Sequence, residues 1–166
     1  GREWERYAFI KARVVAGNQT HGAQLLELLR PFVYRRYLDY SAIESLRSLK
    51  QMIASEVRRR GLQQNVKLGT GGIREVEFIA QAFQLIRGGR DSRLQTSSLM
   101  AVLKLLPQTA GLAIADVEKL RNFYWFIRDV EHALQAVHDK QTQDLPTEEA
   151  EQARLALALT FSCWPK

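Results

Sequence analysis

The stretch KLGTGGIREVEF, residues 67–78, sets a lysine and three glycines directly before the opening of a helix. Glycine lets backbone approach a ligand closely, and the amides at a helix N-terminus attract anions. On that reading Lys67, Gly69, Gly71, Gly72 and Arg74 would bind a nucleotide or phosphate, with free amides and a cation facing the anion. The alternative is a tight turn between two packed helices. No Lys-Ser/Thr pair follows the glycines, so this is not a Walker loop. The surroundings also lack the βαβ alternation of a dinucleotide fingerprint.

Stepping about 100° per residue along the helix, Arg74, Glu77, Gln81 and Gln84 share a polar stripe, while Phe78, Ile79, Ala82, Phe83, Leu85 and Ile86 form an apolar arc. Glu75 falls inside that arc. A carboxylate there must be paired, capped by amides or turned into a cleft, because unpaired burial is costly. It either complements the positive end of its helix as a first-turn acid or takes part in chemistry, and the spacing leaves both open.

Other reactive groups are sparse. His21, His132 and His138 show no metal spacing, no Ser-His-Asp or Cys-His arrangement is evident, and no metal ligands are assigned. Cys163 has no partner for an internal disulfide, which suits a reducing cytoplasm, and reads as a small half-buried apolar residue.

Helical periodicity must position these residues. Trp4, Tyr7, Ile10 and Val14 mark a first helix stopped at Gly17-Asn18, and Pro31 should kink or divide a second. Ser41 and Glu44 form a capping-box pattern for a third, with Ile43, Leu46, Leu49, Ile53 and Val57 on one face, ending near Gly61. A short extended stretch at Val66–Leu68 precedes a glycine-rich turn over 67–73 and a helix over about 73–87, closed by Gly88-Gly89. A shorter helix covers 97–105 and stops before Pro107. The longest starts near Ala115 or Asp116, with Leu120, Phe123, Ile127, Val130, Leu134 and Val137 on a stripe. Leu145-Pro146-Thr147 begins the last. No confident strand is read. The expectation is an all-α, compact multi-helix bundle, a single helical domain over 1–166.

The chain has 166 residues, 46% apolar and 25% charged, which is the globular range. No apolar run reaches the ~18 residues of a membrane span. A formal charge of +6 allows an anionic partner, but the basic residues are scattered as Arg35-Arg36, Arg58-Arg59-Arg60 and Arg87, Arg90, Arg93. Such groups at helix ends compensate the dipole and are solvated. A nucleic-acid-binding module would instead carry a basic recognition face.

The segment KLGTGGIREVEFIAQAFQLIRGGRDSRLQ, together with WERYAFIKARVVAG, PFVYRRYLDY, FYWFIRDVEHALQAVHDKQTQDLP and FSCWP, resembles bacterial glutamine synthetase adenylyltransferase, the bifunctional adenylylating and deadenylylating enzymes. These blocks cover nearly the whole chain in the family's order. In that family two nucleotidyltransferase domains are each followed by a helical domain. The Arg74-Glu75 pair resembles the N-terminal, deadenylylating half; the other copy usually carries Asp at the place of Glu75. That half removes AMP from a tyrosine of glutamine synthetase by phosphorolysis, yielding ADP.

The resemblance implies glutamine synthetase, the PII signal protein and an upstream nucleotidyltransferase domain as partners, glutamine as effector, and magnesium with ATP or ADP for the parent enzyme. It also implies a cytoplasmic setting. The family's Asp-x-Asp pair is missing here, since Asp39, Asp91, Asp116, Asp129, Asp139 and Asp144 are isolated. The chain therefore reads as an excised helical domain, inactive alone, that forms one wall of a cleft. Glu75 and Arg74 take supporting catalytic roles in this reading, and Lys11 and Arg13 join Lys67 and the glycines toward the nucleotide. The competing expectation is a structural or protein-interaction domain without catalytic function.

Overall fold

The computed structural model describes residues 3–36, 40–136 and 142–163, with residues 3 and 40–42 described by backbone alone. The helices are α1 (Glu3–Phe9), α2 (Gln19–Val33), α3 (Tyr40–Arg59), α4 (Ile73–Arg87), α5 (Leu99–Ala110), α6 (Ile114–Ala136) and α7 (Glu149–Ala158), with a 3₁₀ turn at Ser92–Leu94. Among the described residues there is no strand, only an isolated antiparallel bridge between Asn65 and Asp144. The chain is all-α, as its periodicity predicts.

The described chain divides into two compact units, residues 1–52 with 77–118 and residues 53–76 with 119–166. In the first, Ile10, Val33, Leu46 and Leu85 form a buried cluster, and Tyr7, Phe32, Tyr34, Phe78, Ala82 and Ile86 pack on it. Arg6 is 1% exposed, and its guanidinium donates to the carbonyls of Phe32 and Val33 at the end of α2. A buried cation is thus held by carbonyls that a helix C-terminus leaves unpaired. Trp4 stays 53% exposed, whereas the Tyr7 ring lies 5.5 Å from that of Phe78. In the second unit Val130, Leu134 and Leu155 are the buried centre, with Val66, Ala133, Leu145 and Leu159 around them.

Several boundaries differ from the sequence reading. The first helix ends at Phe9, and Asn18 opens α2 by accepting from the His21 amide at 3.0 Å instead of closing α1. An Asn side chain serves an N-cap better than a stop, because its oxygen satisfies one of the orphan amides. Pro31 does not divide α2; the helix ends two residues later, at Val33. Pro107 lies inside α5, which continues to Ala110 and is stopped by Gly111 at φ +70°. One lost amide bond is tolerated there because Val102, Leu103 and Leu106 are fully buried. Residues 66–68 form turns and are not extended.

Cys163 is exposed and not half-buried. The Ser41 cap, Val137 and His138 lie outside the described residues or side chains. The 58–60 trio does sit at a helix end: Arg59 and Arg60 pair with Glu56 and hold its carboxyl at about 2, below its ordinary 4.5.

The polar stripe of α4 also changes meaning. Gln81 and Gln84 are 5% and 2% exposed, so half of the stripe is interior. The Gln84 amide donates to the carbonyls of Leu94 at 2.6 Å and Thr96 at 2.7 Å, tying the 3₁₀ turn to α4. Gln84→Leu keeps the volume but leaves those carbonyls without their donor. It should lower the unfolding free energy by about 2–3 kcal/mol, read as a reduced midpoint in urea at constant slope.

Candidate functional site

The turn that leads into α4 is organised by Asn65. This residue is 8% exposed, and its Oδ1 accepts from the amides of Lys67 (3.1 Å) and Leu68 (2.9 Å). Its Nδ2 donates to Asp144 at 2.8 Å, and its backbone carbonyl accepts from the Gly69 amide at 2.7 Å. An Asn side chain that bonds amides two and three residues on is the local device that reverses a chain. On either side, the Val66 amide donates to Gln143 and the Leu145 amide to Gln64, which fastens the turn to residues 143–145.

Two different reasons place glycine at these positions. Gly71 sits at φ +74°, a conformation that costs other residues about 1–2 kcal/mol. A Cβ on Gly69 would lie 2.6 Å from two backbone carbonyl oxygens, those of Gln63 and Asn65. At Gly72 it would meet the carbonyls of Val66, Lys67 and Gly69, each at 2.9 Å. The close approach that glycine permits is here an approach to the chain's own carbonyls.

Glu75, the third residue of α4, reaches back and accepts from the Gly71 amide at 3.0 Å. This is one of the outcomes that its place in the apolar arc demands: the carboxylate caps an amide, and it complements the positive helix end as well. The amides of the next four residues are also taken. Those of Gly72, Ile73, Arg74 and Glu75 donate to the carbonyls of Gly69, Val66, Lys67 and Gly72. The expectation of free amides is therefore corrected for these residues, whose N–H groups close on the chain itself; Leu68 and Thr70 of the turn and Arg74 at the start of α4 are the side chains exposed here.

Those side chains fall into separate groups. Lys67 and Arg74 accompany the turn, and Arg74 is exposed. Lys67 Nζ lies 3.6 Å from Glu131 on α6. Lys11 and Arg13 belong to the other unit, where Lys11 Nζ donates to the Ser97 carbonyl at 2.7 Å. Beside the turn, an apolar groove of about 440 Å³ is lined by Val66, Gly71 and Gly72 and by Phe123, Ile127 and Val130 of α6. Among the described residues no three His, Cys, Asp or Glu side chains gather as metal ligands would.

Asn65 and Glu131 were not singled out from sequence. The signal for Asn65 was legible, since Asn two residues before a turn is a known chain-reversal device. The burial of Glu131 was not, because it depends on contacts with residues 67 and 143.

The family model described as GlnD PII-uridylyltransferase matches residues 47–165. Over 164 residues, 99% of this chain, the sequence is 63% identical to a protein of Pseudomonas putida named bifunctional glutamine synthetase adenylyltransferase/adenylyl-removing enzyme. Proteins of the same name from Pseudomonas aeruginosa and Nitrosococcus oceani are 60% and 58% identical over the same length. The chain belongs to the family described by that PII-uridylyltransferase model, among its glutamine synthetase adenylyltransferase relatives. It spans 17% of the length of these curated relatives. No helix among the described residues is long and apolar enough to cross a membrane.

Gly69→Ala and Gly71→Ala separate the two reasons for glycine. Gly71→Ala should destabilise by about 1–2 kcal/mol through backbone strain alone, whereas Gly69→Ala, which drives a methyl into two carbonyls, should lose about 3 kcal/mol or more. Denaturant melts of both variants check the order.

Proposed function

We propose that this chain is the helical domain of the deadenylylating, N-terminal half of a glutamine synthetase adenylyltransferase/adenylyl-removing enzyme. In this reading it forms one wall of the cleft in which AMP is removed from a tyrosine of glutamine synthetase by phosphate. The identity of 63% over 99% of the chain carries the proposal, together with the Arg74-Glu75 pair at the start of α4. An upstream nucleotidyltransferase domain supplies the carboxylates for magnesium and ATP or ADP. Glutamine synthetase and the PII signal protein are the protein partners, in the cytoplasm.

The roles divide by the chemistry of each group. Gly69, Gly71 and Gly72 shape the nucleotide-facing turn, and Glu75 holds it by capping Gly71. Arg74, exposed in the first turn of α4, and Lys67 bring positive charge toward the nucleophilic phosphate, and Lys11 and Arg13 are nucleotide-binding candidates of the other unit. Charge placed where negative charge develops is a large part of phosphoryl-type catalysis. The second reading, a purely structural or protein-interaction domain, draws on the amides that the turn uses internally.

One experiment decides between them. In a protein that includes the upstream domain, Arg74→Ala should slow phosphate-dependent ADP release from adenylylated glutamine synthetase by about a hundredfold, or 2.7 kcal/mol of barrier, with helicity and Tm unchanged. An unaltered rate would leave the turn as architecture.

A further inference from the structure

A charged constellation on α6 goes beyond the glycine turn itself. Glu131 is 2% exposed, yet its carboxylate meets two cations: Lys67 at 3.6 Å and Arg128, one helical turn back. Gln143 Nε2 adds a donor at 3.3 Å. The Lys67 and Arg128 side chains each remain 33% exposed. His132 Nε2 lies 3.5 Å from Arg128 Nη2. One carboxylate balances only one of two cations, so the trio keeps a net positive charge. Asp144, beside Gln143, is engaged by the Asn65 amide.

We propose that Lys67 and Arg128 form a subsite for a tetrahedral oxyanion, either inorganic phosphate or the terminal phosphoryl group of a nucleotide. The chemistry follows from donor numbers. A guanidinium carries five N–H donors and an ammonium three, and a shared carboxylate cannot use them all. Long basic side chains ordinarily lose rotamer freedom when they bind an anion. Here a buried acceptor already fixes both, which sets them apart from the solvated arginines at the ends of α3 and α4. The subsite deepens the proposed function, with which it shares Lys67, and the two fail separately: oxyanion binding can fail while Arg74 still affects the longer protein, and the reverse.

The test titrates inorganic phosphate into the isotope-labelled chain at constant ionic strength, with chloride as the matched control, following backbone and arginine side-chain resonances. Saturable phosphate binding is expected, with none for chloride. Lys67→Gln and Arg128→Gln should each weaken it by about tenfold or more, while Lys104→Gln, an exposed lysine of α5, should bind as the unaltered chain does. Lys67→Gln leaves Glu131 paired with Arg128, so a fold-neutral variant is available, and helicity and Tm verify both. ADP as a second titrant distinguishes the sources: tighter binding with the same sensitivity assigns the nucleotide's phosphoryl group, weaker binding assigns free phosphate. Lack of saturable binding of both phosphate and ADP, or binding by either variant as tight as by the unaltered chain, overturns the subsite.

Discussion

The Asn65 side chain closing on the amides of Lys67 and Leu68 is the interaction on which the second unit depends. It reverses the chain, and the same residue reaches Asp144, so one buried polar group serves both the turn and residues 143–145. Buried amides and carboxamides must be satisfied or they oppose folding. Here the turn meets that demand within itself: Glu75 takes the Gly71 amide, and backbone carbonyls take those of residues 72–75. The three glycines follow as a consequence, because only they let so many carbonyls and amides meet in so few residues.

From this closed turn α4 begins with two buried side chains, Ile73 at 1% and Val76 at 2% exposure. Val66 packs with Val130, Leu134 and Leu155, while its neighbour Lys67 extends to Glu131. Successive residues of the turn thus contribute to an apolar centre and to a polar flank. That arrangement sets Lys67 beside Glu131 of α6, while the groove beside the turn is lined by apolar side chains.

The helical nature of the chain was plain in its periodicity, and the start of α4 after the glycines was read at the residue where it occurs. Family membership was also legible, because separated blocks carry the resemblance and the comparison extends over 99% of the chain. Prolines and caps were harder. Pro107 reads as a stop by its own chemistry, but the buried Val102, Leu103 and Leu106 outweigh the single lost bond. Gln81 and Gln84 read only as members of a polar stripe, because polarity alone does not reveal that carbonyls of Leu94 and Thr96 wait for the Gln84 amide. The glycines themselves suggested amides offered to a ligand. Only the geometry shows those amides turned inward, since the acceptors come from Asn65, Glu75 and carbonyls that a local pattern does not locate.

The central claim is that this turn is closed before any ligand arrives. Amide hydrogen exchange of residues 67–75 in the ligand-free chain tests it most directly. The closed turn predicts exchange at least ~1,000-fold slower than in an open chain for the amides of Lys67, Leu68, Gly69 and Gly71. Exchange near the open-chain rate at those positions, in a chain whose α4 amides stay protected, would contradict it.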